Sequence, residues 1–237
     1  EKDRAAGNGS LMRLAPIPIY FRDDFEKTIK FSAKSSLTTH NNQMAINSCS
    51  YFGALLQQFI NSRIKMKAFK DKVLKDTAVD LNLDERVIAA INGSFKKERK
   101  DIKSDGFVLH TLEASLWSFI NSDSFAEAVL TAVNLGNDAD TVAAVTGQLA
   151  GAYYGYSNLP KKWLNKLADY ELLGQIAEKL YNKAVEVDAD LLIVGARGQT
   201  GTVISLLGNL TENLMRMDTE VPVMIIKNKK SKGWSLF

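Results

Sequence analysis

Cysteine is almost missing from this 237-residue chain, with Cys49 standing alone. A single thiol excludes an internal disulfide framework and fits a reducing compartment, so a cytoplasmic location is expected. Cys49 itself reads most simply as a small core residue. Long apolar runs are missing too. None approaches the roughly 18 residues that a membrane-spanning helix requires, so no membrane partner is expected. No secretory leader is visible, and the sequons at Asn8, Asn92 and Asn209 therefore carry no weight. An excess of either charge is lacking, since 30 Lys and Arg against 27 Asp and Glu leave +3. That balance argues against a dedicated nucleic-acid surface. No Ser/His/Asp set suited to nucleophilic catalysis is evident, and no internal repeat is found.

What is present is enough apolar material, 46% of the chain, to bury a sizeable core. The chain changes character near Asn182. Before it, the pattern is helical. After Ser35 to His40, which reads as a polar turn, apolar residues recur at Met44, Cys49, Phe52, Leu55, Leu56, Phe59 and Ile60, which is helix spacing. Phe107 to Ile120 predicts a second helix. Ser124 is a good N-cap for a third, reaching Leu135. Val142 to Tyr154, rich in Ala and Gly, predicts a buried helix that allows close packing. Residues 64–104 carry most of the lysines and predict short surface helices and loops. From Asp188 onward, Ala189 to Gly195 and Val221 to Lys227 read as strands flanking a helix near Leu206 to Met217. That order predicts a parallel β-α-β unit with a right-handed crossover.

The chemistry concentrates at Gly136-Asn137-Asp138-Ala139-Asp140-Thr141. Asp-x-Asp followed by Thr brings three oxygen donors to a helix start. Hard cations such as Mg²⁺ take such ligands at about 2.0–2.1 Å. Plain helix capping would use the same residues, and the spacing alone leaves both readings open.

The stretch Leu135 to Gly155 resembles the metal-binding signature of the ADP-ribosylglycohydrolase family. Three further blocks resemble that family in its order: Gly7 to Pro16, Ser36 to His40 with the helix carrying Cys49-Ser50-Tyr51-Phe52, and Gly106 to Ala114. The resemblance implies an all-α domain over residues 1–182 that removes ADP-ribose from modified proteins with two divalent cations, Mg²⁺ or Mn²⁺. It makes Asp138, Asp140 and Thr141 metal ligands. It brings Gly7, Asn8, Gly9, Ser10, His40, Gly136 and Asn137 to the ADP-ribose. His40 is equally readable as a helix-entry residue bonded to backbone, and His110 as a satisfied core histidine. The partners implied are ADP-ribose or an ADP-ribosylated protein. Family members also carry an N-terminal Thr-Asp-Asp motif that completes the metal site. This sequence has none, and its one Asp-Asp pair, Asp23-Asp24, reads as a solvated helix start. The chain opens on Glu1 rather than Met, as a fragment or fusion would. The helical domain is therefore expected to be N-terminally truncated, with exposed apolar surface, impaired metal binding and weak activity.

Residues 183–237 resemble something else, the last β-α-β unit of a universal stress protein. The family's Gly-x2-Gly-x9-Gly-Ser/Thr pattern reads here as Gly195, Gly198, Gly208 and Asn209, with Asn209 in place of the hydroxyl residue. Such glycines let backbone amides approach phosphate. The resemblance implies ATP as an alternative ligand and self-association through the last strand. An ATP-binding module and a non-catalytic ADP-ribose binder are thus the alternatives to a hydrolase. The fold class expected is mainly α, followed by a small β-α-β unit.

Overall fold

The structure, a computed structural model, describes residues 6–62, 67–79 and 81–183, and the backbone of Leu192–Ala196 and Val223–Lys227. The chain divides into two compact units, Glu1–Glu186 and Val187–Phe237. The first is helical: α1 (Gly9–Met12), α2 (Pro16–Tyr20), α3 (Phe25–Leu37), α4 (Gln43–Asn61), α5 (Lys67–Val79), α6 (Glu85–Ser94), α7 (Val108–Ile120), α8 (Phe125–Val133), α9 (Ala139–Tyr154), α10 (Lys161–Leu164) and α11 (Tyr170–Lys183).

Helix α4 is the axis of this unit. Its helix-spaced apolar residues are packed all round rather than along one stripe. Met44, Cys49, Tyr51, Phe52, Leu55, Leu56 and Phe59 are all fully buried, which is the pattern of a central helix. Asn42 caps its start by accepting from the Met44 amide at 2.9 Å. Helix α3 packs most intimately on α4. A Cβ on Gly53 would lie 2.1 Å from Ser32 Oγ, so only glycine permits this approach. At the far end, Phe59, Phe119 and Tyr153 from α4, α7 and α9 form a cluster with ring centroids 5.2–5.7 Å apart.

Three sequence expectations need correction. The run Ser35 to His40 is not a turn throughout, because α3 continues to Leu37. Ser35 and Ser36 are buried, so their polarity faces the inside of the packing, not solvent. Residues 64–104 are not merely surface elements. Val73 and Leu74 of α5, and Val87 and Ile91 of α6, are buried. So is a lysine of the stretch, Lys70. Its ammonium donates to the carbonyls of Phe119 at 2.9 Å and Ser122 at 3.1 Å, where the partial negative charge of the α7 C-terminus offsets burial of the cation. His110 is satisfied but not in the core: its side chain is 27% exposed and Nδ1 lies 2.7 Å from Asp105 Oδ1.

The Asp23-Asp24 reading is borne out. Asp24 caps α3, accepting from the Lys27 amide at 2.9 Å. Helix α11 leaves Leu172, Leu173 and Ile176 about half exposed.

In the second unit, Leu192–Ala196 (β1) and Val223–Lys227 (β2) pair in parallel, with Leu192 opposite Val223 and Ala196 opposite Lys227. Gly195 lies in β1, opposite Ile226. The helix expected near Leu206 to Met217, and Gly198, Gly208 and Asn209, lie outside the described residues. Among the described residues, no helix is long and apolar enough to cross a membrane.

Candidate functional site

The segment Ser104 to Val108, leading into α7, is a template on which two distant loops are laid. On one side, Val108 N donates to Ala6 O at 2.9 Å and Asn8 N to Gly106 O at 3.1 Å. Gly7 thereby forms an antiparallel bridge with Phe107. On the other side, Asp138 N donates to Ser104 O at 2.9 Å, and Ser104 Oγ donates to Gly136 O at 3.0 Å. The turn before α9 requires left-handed backbone twice in succession, at Gly136 (φ 83°) and Asn137 (φ 51°). Glycine and asparagine are the residues that adopt it most readily.

Side chains then join the two loops. Asn8 Nδ2 donates to Asp138 Oδ2 at 2.6 Å and to Thr111 Oγ1 at 2.8 Å. Thr141 Oγ1 donates to the other carboxylate oxygen, Asp138 Oδ1, at 3.0 Å. Asp138 is the N-cap residue of α9, yet its side chain caps no backbone amide. Its carboxylate is held instead by an amide and a hydroxyl, so capping does not account for it. Asp140, one residue into the same helix turn, is exposed and makes no hydrogen bond or ion pair among the described residues. The Asp-x-Asp-Thr spacing thus brings Asp138 and Thr141 into contact and leaves Asp140 free at the helix start.

His40 forms the opposite wall of the Gly7–Ser10 loop. A Cβ on Gly7 would sit 3.1 Å from its Nε2, and a Cβ on Gly9 would sit 3.0 Å from its Cε1. The two glycines are what allow the imidazole to lie on the loop backbone. Burial, followed by the nearby Arg13 cation, holds His40 below the ordinary histidine range. Ser10 is fully buried. Its oxygen accepts from Ser36 Oγ at 3.0 Å and Cys49 Sγ at 3.5 Å, so the hydroxyl is a strut beneath the loop. Burial, before any other cause, pushes the Cys49 thiol up to about 11, which keeps it protonated and inert. At the rim, burial alone would raise the Asp105 carboxyl. The hydrogen bonds from His110 and the Phe107 amide, with the charges of His110 and Lys103, bring it below its usual value.

The donor set fits a hard divalent cation in kind, since carboxylates and a hydroxyl are the ligands such ions take. It does not fit in number: among the described residues no cluster of three or more His, Cys, Asp or Glu side chains is found. Sequence reasoning passed over Thr111, Ser104, Arg13 and Thr39. All lie in or beside the four family-like blocks, but apart from the Thr39–His40 and Arg13–Gly9 contacts their partners are remote in sequence, so no local spacing marks them.

The family profile of ADP-ribosylglycohydrolase matches residues 1–190. The ADP-ribosylarginine hydrolase Tri1 of Serratia proteamaculans is 42% identical over 184 residues, covering 77% of this chain and 48% of that protein. The ADP-ribosyl-[dinitrogen reductase] glycohydrolase of Rhodospirillum rubrum is 28% identical over 165 residues, covering 68% and 51%. A solved structure described as an ADP-ribosylglycohydrolase-related protein complex superposes with a TM-score of 0.69 at 32% identity, over 77% of this chain and 62% of that one. The chain spans about half the length of the curated relatives it matches. With the family profile covering most of the chain, and a relative, a solved fold and four sequence blocks agreeing with it, this chain belongs to the ADP-ribosylglycohydrolase family.

Proposed function

We propose that the surface formed by the Gly7–Ser10 loop, His40 and the start of α9 receives ADP-ribose, and that the chemistry is metal-dependent hydrolysis of ADP-ribose from a protein side chain. The observation that carries this reading is the Asn8–Asp138–Thr141 joint. It fastens the glycine loop to the carboxylate at the helix start with side chains from the loop, the N-cap and the first turn of α9. Arginine is the modified residue we favour, because the 42%-identical relative is named an ADP-ribosylarginine hydrolase.

Asp138, Asp140 and Thr141 would hold Mg²⁺ or Mn²⁺. A cation held there would supply positive charge for acidifying a water and holding ribose hydroxyls during hydrolysis at the anomeric carbon. Asn8 orients the Asp138 carboxylate, and the glycine backbone lets a ligand approach closely. With no third acid clustered among the described residues, the chain by itself should bind metal weakly and turn over slowly. The same observation favours a second reading, an ADP-ribose binder without turnover.

Thermal unfolding with and without Mn²⁺, together with ADP-ribose release from an arginine-modified protein, tests both. A rise in Tm with Mn²⁺ that Asp138→Asn abolishes supports the metal site. Binding of ADP-ribose with no release supports the binder. Neither metal response nor ADP-ribose binding would sink both readings.

For the second unit, the parallel β1–β2 pair supports a crossover between the two strands, while ATP as ligand and the last strand as a self-association edge rest on the sequence resemblance alone. ATP retention and light scattering by the full chain, with and without Gly198→Ala and Ile225→Lys, test it.

A further inference from the structure

Arg13 looks at first like a phosphate clamp, since it stands beside the glycine loop of a nucleotide-type site. Its hydrogen bonds say otherwise. Nη1 donates to Gly9 O at 3.3 Å, and Nη2 donates to Ser35 O at 2.9 Å, Thr38 Oγ1 at 3.2 Å and Thr39 Oγ1 at 2.6 Å. The guanidinium is committed to the protein, pinning the loop to the end of α3.

The shortest of these contacts continues. Thr39 Oγ1 lies 2.7 Å from His40 Nδ1. A guanidinium only donates, so the Thr39 oxygen must accept from it. A hydroxyl that accepts from a cation becomes a better donor and a poorer acceptor, because the hydrogen bonds polarise one another in the same direction. Its single proton therefore points to Nδ1. In the opposite arrangement, an imidazole N–H would point at an oxygen already drained by Arg13. Nδ1 as acceptor leaves the ring proton on Nε2. That nitrogen faces Gly7 and Gly9 and has no hydrogen-bond partner among the described residues.

We propose that Arg13 and Thr39 are positioning residues that fix His40 as the neutral Nε2–H tautomer, so that it presents one hydrogen-bond donor to the ligand in the Gly7–Ser10 loop. The ligand atom meeting it is then an acceptor oxygen, a ribose hydroxyl or a phosphate oxygen. The ligand half of this inference rests on the ADP-ribose reading above; the tautomer half does not. The chain's other histidine supplies an internal contrast. His110 Nδ1 is 2.7 Å from Asp105 Oδ1, and a carboxylate only accepts, so His110 carries its proton on Nδ1.

The test is ring-nitrogen NMR of the full ¹⁵N-labelled chain at slightly alkaline pH, where its two histidines resolve into two spin systems. The expected result is Nε2–H for His40, with Nδ1 shifted as a hydrogen-bonded acceptor, and Nδ1–H for His110. Thr39→Val should move the His40 Nδ1 resonance to the free position, Thr39→Ser should restore it, and His110 should not change. Thr39 is exposed, so neither variant threatens the fold. Nδ1–H on His40 in the unaltered chain, or a Nδ1 resonance indifferent to Thr39→Val, overturns the proposal. Added ADP-ribose should shift the Nε2–H signal, with affinity about tenfold weaker in Thr39→Val. An unmoved Nε2–H with the tautomer pattern intact refutes the ligand reading of the loop and leaves the relay standing.

Discussion

The amide of Asn8 holds the carboxylate of Asp138, a residue 130 positions away, at 2.6 Å. The same nitrogen reaches the buried Thr111 hydroxyl at 2.8 Å. One side chain therefore ties the first loop, the α7 helix and the start of α9 together.

Asn8→Ala should leave both the Asp138 carboxylate and the Thr111 hydroxyl short of a partner. Unsatisfied groups of this kind cost about 1–3 kcal/mol. Asn8→Asp should cost more, because it sets a second negative charge where a donor stood. That excess should shrink on acidification, because two abutting carboxylates come to share a proton. Urea unfolding at pH 7 and pH 4 reads both effects. Equal stability of the two variants at pH 7 would refute the contact.

Gly53→Ala should destabilise the α3–α4 packing by ~1–3 kcal/mol or more, the usual cost of overpacking. The new Cβ would meet Ser32 Oγ at 2.1 Å and Ser32 Cβ at 2.9 Å. Ser32→Ala alone should be close to neutral, since Ser32 Oγ is buried with no hydrogen-bond partner among the described residues. Combined with Gly53→Ala it should recover part of the loss, because it removes the closer of the two clashes. A double-mutant cycle in guanidinium measures the coupling, and strict additivity would contradict the geometry.

Lys70→Met keeps the length of the buried stem but removes the donors to Phe119 O and Ser122 O. It also removes a cation 4.5 Å from the Phe119 ring centroid. A loss of roughly 2–3 kcal/mol is expected, typical of charged hydrogen bonds left unmade. Hydrogen exchange should show the last turn of α7 opening before the rest of that helix.

Mild acid should weaken the chain through His40. His40 has its folded pKa lowered, first by burial and then by Arg13. Below about pH 6.5 the unfolded chain takes up a proton that the folded chain still refuses. The unfolded state then binds more protons, so stability is complete above that pH and falls as pH drops toward the lower folded value. Urea midpoints between pH 8 and pH 5 should show this slope. His40→Gln should flatten it, and an unchanged slope in that variant would assign the effect elsewhere.

Local pattern was enough to locate much of the helical unit. The apolar spacing from Met44 to Ile60, the Ser124 cap and the small residues of Val142 to Tyr154 each specify a helix through interactions within a few residues. The four blocks in order identified the family, and Asp138 and Thr141 were legible because a three-residue separation at a helix start brings their side chains together whatever surrounds them. The strands in the second unit announced themselves by apolar runs bounded by glycine and proline. Tertiary structure alone decided the rest. Asn8 and Thr111 become partners of Asp138 only because Ser104 to Val108 serves as a template for both loops. Arg13 is turned from a free cation into a relay by the end of α3. Lys70 is buried by the α7 C-terminus, which offers carbonyls that no pattern around residue 70 records. Such pairings span tens to more than a hundred residues. They arise when chain folding closes those loops, and no spacing in the sequence encodes them in advance.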